Sequence, residues 1–104
     1  MTRARSPGLT VIYWRDIPAQ VIASTGHDVH RVELDDRFQQ AIDRAAMHTG
    51  RIGTEEYLED WRRDSQPLNG DPREAAVAAA AEVEERYSIE ALNDLVANGG
   101  FEEQ

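Results

Sequence analysis

The chain has 104 residues, enough for one domain with a single modest core and too few for two. Twenty acidic residues against 11 basic ones give a net charge of −9, which disfavours attraction to nucleic acid backbones and to anionic membranes. The absence of cysteine excludes disulfides, thiolate metal ligands and cysteine nucleophiles, and it fits a reducing compartment.

Residues 1–8, ending in Pro7-Gly8, read as a disordered arm whose arginines solubilise it. The apolar run after it is interrupted at Arg15-Asp16, too early for a signal-peptide core, and no stretch reaches the length of a membrane span. A cytoplasmic protein is the resulting expectation. From Leu9 to Trp14 both alternating sets are mostly apolar, so the segment predicts a strand covered on both sides, or one covered by helices on one side and a partner on the other. Asp16-Ile17-Pro18 predicts a bend, because Pro18 has no N–H to donate to a ladder, and a second strand follows over about 20–23. The turn formers Ser24 to Asp28 then lead into a third strand over 29–34.

After Leu34 the apolar period changes to that of a helix. Asp35 is its N-cap, Phe38, Ala41, Ile42, Ala45 and Ala46 form its buried stripe, and Gly50 stops it. A second helix is expected from a Thr54 cap, with Glu55 and Glu56 in its first turn, Tyr57, Leu58 and Trp61 buried, and Arg62 and Arg63 in its last turn. Ser65 to Gly70 reads as a loop. Asp71-Pro72-Arg73-Glu74 is the clearest helix start, combining an N-cap, a first-position proline and a capping-box glutamate. Ala76, Ala80, Val83 and Tyr87 line one stripe of that helix, while Ala78 to Ala81 offer a face for close packing. Ser88 restarts a short helix through Ile89, Leu92 and Leu95, ended by Asn98-Gly99-Gly100; residues 98–104 are the tail. The fold class is α+β: a small antiparallel three-stranded sheet, about 9–34, with three to four helices on one face and a domain spanning 9–97.

Few residues look like chemistry. His27 and His30 flank Asp28, but a turn and a strand do not converge two imidazoles as a helix would, and His48 is distant, so no metal site is expected. Asp35-Asp36, Glu55-Glu56 and Glu84-Glu85 are explained by capping and solvation. Only Asp16 and Asp43 have neighbours apolar enough for acid–base work, and neither has a nucleophile beside it. The scattered glycines make no phosphate cradle. No catalytic residue and no cofactor are assigned.

Trp14-Arg15-Asp16 remains, a charged pair beside a large aromatic at a strand end. One reading makes it a structural link, Arg15 with Asp43 or Asp16 with Arg44, locking the sheet to the first helix. The other makes Tyr13, Trp14 and Arg15 a recognition patch, these being residue types favoured at interface hot spots. Trp61 reads as core.

The segment Tyr13-Trp14-Arg15-Asp16-Ile17-Pro18-Ala19-Gln20-Val21, then Phe38, Ile42-Asp43-Arg44-Ala45-Ala46-Met47, and Tyr57-Leu58 with Trp61 resembles the small bacterial "virulence factor" domain over roughly residues 9–87. The resemblance implies an accessory or adaptor role with a protein partner; it supplies no catalytic residues. It also implies, as an alternative, a small subunit of a corrinoid- or folate-dependent methyl-transfer system, with Asp16, Asp43 or Arg44 entering a shared active site. In larger proteins the domain is accompanied by helical repeats, and none is read within these 104 residues. The candidate binding residues are Tyr13, Trp14, Arg15, Asp16, Gln20, Asp43 and Arg44, and a homodimer through open sheet edges is a further possibility.

Overall fold

The computed structural model describes residues 5–26, 28–50, 53, 55–68 and 70–102. Strands β1 (Arg5–Trp14), β2 (Ile17–Gly26) and β3 (Asp28–Glu33) are followed by helices α1 (Asp36–His48) and α2 (Glu55–Glu59). Strand β4 (Trp61–Pro67) and helices α3 (Pro72–Arg86) and α4 (Ile89–Ala97) complete the fold. The class is α+β, as expected, but the sheet has four strands instead of three, in the order β3-β2-β1-β4, with every neighbouring pair antiparallel.

The added strand is the main departure from expectation. The second helix ends at Glu59, so Trp61, Arg62 and Arg63 belong to β4 rather than to its last turn, and the expected loop from Ser65 is ladder as far as Pro67. The cause is backbone pairing with β1, running in register from Trp14 opposite Trp61 to Gly8 opposite Pro67. An edge strand held by its main chain has no need of alternating apolar residues, which is why Trp61–Pro67 leaves no strand signal. The expected Thr54 cap lies outside the described residues, as do residues 1–4 and 103–104.

The bend also differs. Trp14 pairs with Ile17, so the turn is Arg15-Asp16, and Pro18 sits inside β2 opposite Tyr13. The register shifts between Ile12 and Tyr13, leaving Ala19 as an extra residue beside Pro18; a bulge is where a strand tolerates a residue without an N–H. β1 begins at Arg5, four residues before the strand expected from the apolar pattern.

The helix starts follow their sequence signals. Asp35 accepts the Arg37 N–H at 3.2 Å, Asp71 the Glu74 N–H at 2.9 Å, and Ser88 the Ala91 N–H at 3.1 Å. One core forms on the sheet face presented by Leu9 and Val11 of β1, Val21 and Ala23 of β2, and Val32 of β3. Against it stand Phe38, Ala41, Ile42, Ala45 and Ala46 of α1, Ala76 and Ala80 of α3, and Leu92, Leu95 and Val96 of α4. α3 lies over β2 and β3 and only grazes β1, while α1 packs between β2 and α4.

Candidate functional site

The β1–β2 turn is built from strained and buried parts. Arg15 has φ +56°, the one positive value among the described non-glycine residues, in the first position of a two-residue hairpin where glycine is preferred. Surrounding contacts hold it there. Its N–H donates to the Asp60 carbonyl at 2.9 Å, its Nε to Asp60 Oδ2 at 3.1 Å, and its Nη1 to the Gly99 carbonyl at 2.6 Å. The guanidinium carbon lies 4.8 Å from the Trp14 ring centroid and 4.6 Å from that of Phe101, within cation–π range of both.

Asp16 is equally engaged. Its N–H donates to the Gly100 carbonyl at 2.8 Å, Oδ1 accepts from Arg62 Nη2 at 3.1 Å, and Oδ2 accepts the Glu102 N–H at 2.8 Å. Arg62 also donates from Nε to the Arg15 carbonyl and lies over the Tyr13 ring at 4.2 Å. The turn thereby ties the β1–β2 hairpin to the start of β4 and to the segment after α4. The ion pairs differ from those expected: Arg15 joins Asp60, not Asp43, and Asp16 joins Arg62, not Arg44.

The other candidates are dispersed. Trp14 is 0 % exposed, with Nε1 donating to the Tyr57 carbonyl at 2.9 Å, and Arg15 is 7 % exposed, so both belong to the interior. Gln20 lines a shallow depression with Glu33, Leu34, Asp36 and Trp61. Asp43 accepts from Gln39 within α1, and Arg44 donates to Asn93 of α4; both are exposed and neither meets the turn. Trp61 packs against the core beside Tyr57, as expected. Among the described residues no three His, Asp or Glu side chains gather as metal ligands, and His27 lies outside those residues.

Tyr13 is the candidate that leads to a cavity. On the helix-covered side of the sheet a groove of about 420 Å³ runs between α3 and β4. Its floor is Leu9, Val11 and Tyr13 of β1, one wall is Asp64 and Gln66 of β4, and the other is the α3 face from Ala75 through Ala78, Ala79 and Val83 to Arg86. It exists because α3 sits over β2 and β3 and leaves β1 and β4 without a helix of their own. At its far end Arg86 also borders a second depression of about 310 Å³, lined by Tyr87, Ala91, Leu95 and Phe101 with Asp94 and Glu102.

Both tyrosines at this junction are held above their ordinary pKa of 10.0. Burial is the larger cause for each; Asp64 adds to it for Tyr13, partly offset by Arg62 and Arg86, while Tyr13 and Glu102 add to it for Tyr87. The junction is therefore a low-dielectric, carboxylate-rich spot with neutral phenols. Such a surface suits binding of apolar and cationic groups. The groove was not legible in the sequence, because β4, which supplies Asp64 and Gln66, leaves no strand signal; of the small residues Ala78 to Ala81, Ala78 and Ala79 line it.

Comparison with the curated proteins and with the solved structures yields no match. The sequence model of the virulence factor family, by contrast, matches residues 12–96, which takes in the turn, α1, β4, α3 and nearly all of α4. The chain belongs to the virulence factor domain family.

Proposed function

We propose that this domain is a non-enzymatic accessory module that binds a protein partner in the groove between α3 and β4. The observation behind this reading is the groove itself: a sheet face where Val11 and Tyr13 stay half-buried beside a wall of alanines, rimmed by polar residues. The turn is the framework that shapes one end of it, with Tyr13 as the residue shared by both.

The alternative of a subunit lending Asp16, Asp43 or Arg44 to a shared methyl-transfer site gains no support, since both Asp16 oxygens are already bonded and the other two bond elsewhere, Asp43 to Gln39 and Arg44 to Asn93. Pairing of open sheet edges is also disfavoured, because β4 presents Arg62, Arg63, Asp64 and Pro67 and the other edge, β3, presents Asp28, Arg31 and Glu33, residue types that discourage edge-to-edge association. Ala78 is exposed on the α3 lip that separates the groove from the depression beside His30, so Ala78→Trp adds bulk at that lip without entering the core. Used as baits in the native host's extract, wild type should enrich a protein that Ala78→Trp does not, with circular dichroism of the two unchanged. Identical capture by both baits would sink the proposal.

A further inference from the structure

We infer that the occupant of the groove is a basic amphipathic α-helix of the partner protein, a specification that rests on the proposed binding role. Size comes first. Neighbouring strands lie about 4.8 Å apart, so the line over β1 and β4 is displaced by two strands, roughly 9.6 Å, from the line over β2 and β3 that α3 follows. Packed helices sit about 8–10 Å apart, so the vacant strip is the width of one further helix. Ala75, Ala78 and Ala79, small residues on the α3 side that faces it, allow the close approach this spacing demands. The wall from Ala75 to Arg86 is about 16 Å long at 1.5 Å per residue, matching roughly three helical turns. A partner helix would lay an i, i+3, i+4, i+7 apolar stripe on the half-buried Val11 and Tyr13, with Leu9 already part of the core beneath them.

Charge then selects the kind of helix. Asp64 and Glu82 stand on opposite lips of the groove, and Asp94 and Glu102 continue the acidic rim past the junction, against the guanidinium of Arg86 in the lining and that of Arg62 over the Tyr13 ring, the latter paired with Asp16 at 3.1 Å. Arg86 is itself 3.8 Å from Glu82, which reduces its pull on an anion. The flanks of the bound helix would therefore carry arginine or lysine, and the net charge of −9 would steer it in. A second copy of this chain brings the same excess of carboxylates and is the wrong partner electrostatically.

The test uses the full chain and three synthetic fluorescent peptides of about 12 residues, the length of three turns. One has a leucine stripe with arginine flanks, one the same stripe with glutamate flanks, and one the arginine composition scrambled so that no stripe forms. The striped arginine peptide should bind saturably and at least about tenfold more tightly than the other two, a gap of about 1.4 kcal/mol. Binding should be lost in Ala78→Trp and weakened about tenfold in the double variant Asp64→Lys with Glu82→Lys, with amide shifts in Val11, Tyr13 and Ala79 of wild type. Equal binding of the scrambled peptide, or binding indifferent to Ala78→Trp, would overturn the inference. If the arginine peptide fails while capture from the host extract remains sensitive to Ala78→Trp, the groove is a protein site of other chemistry; if both fail, the binding role falls with it.

Discussion

Gly100 is seated directly against Arg15. A β-carbon on Gly100 would come within 3.1 Å of Arg15 Cδ and of Trp14 Cζ3, at a backbone φ of +96°, and the Gly100 carbonyl already accepts the Asp16 N–H. Two left-handed residues distant in sequence thus brace one another. Gly100→Ala should cost about 2 kcal/mol, from the unfavourable φ together with overpacking against two buried side chains. Urea denaturation at constant m-value measures this, and a loss under about 0.5 kcal/mol would mean the segment after α4 yields easily.

Arg15 offers a more discriminating comparison. Arg15→Ala removes the ion pair with Asp60, the bond to the Gly99 carbonyl and both aromatic contacts, and should cost about 3 kcal/mol. Arg15→Gly removes the same contacts but relieves the +56° φ, so it should be about 1 kcal/mol more stable than the alanine variant. Equal stability of the two would show that the turn relaxes when its side chain is lost.

These two residues also mark how far the sequence could be read. The helices of α1, α3 and α4 were legible because Asp35, Asp71 and Ser88 are local signals that act on N–H groups two or three residues away. Arg15 and Asp16 were conspicuous for the cost of burying charge, but their partners Asp60, Arg62 and Gly99 lie 45 to 84 positions on, the first two placed by β4, which no periodicity announces, and the third by the end of α4. The groove was hidden for the same reason: it is defined by where α3 does not reach.

The caps permit a third prediction. The Asp71 carboxylate accepts the Glu74 N–H at the start of the helix that forms the groove wall, with Pro72 already set for the first turn. Asp71→Ala should cost about 1 kcal/mol, and Asp71→Asn, which keeps the acceptor, much less. Thermal unfolding of both variants checks it; equal losses would shift the explanation from hydrogen bonding to charge at the helix end.

The junction of the two depressions makes a prediction about alkaline pH. The chain has no lysine and no cysteine, so above pH 9 its three tyrosines dominate titration in the folded and unfolded states. Tyr13, Tyr57 and Tyr87 are all raised above 10.0 in the fold, chiefly by burial. Unfolding therefore releases protons above pH 10: the stability associated with neutral phenols is fully present below the unfolded value and falls as pH rises toward the folded values. Tyr87→Phe leaves nothing to ionise at that position, and its stability should decline less steeply between pH 10 and 11.5 than that of wild type. Because Tyr13 and Glu102 both raise Tyr87, the converse substitution Tyr13→Phe should bring the Tyr87 transition closer to 10.0 in an ultraviolet titration. Parallel stability curves for Tyr87→Phe and wild type would show that Tyr87 is as solvated folded as unfolded, and would remove the low-dielectric character assigned to that end of the groove.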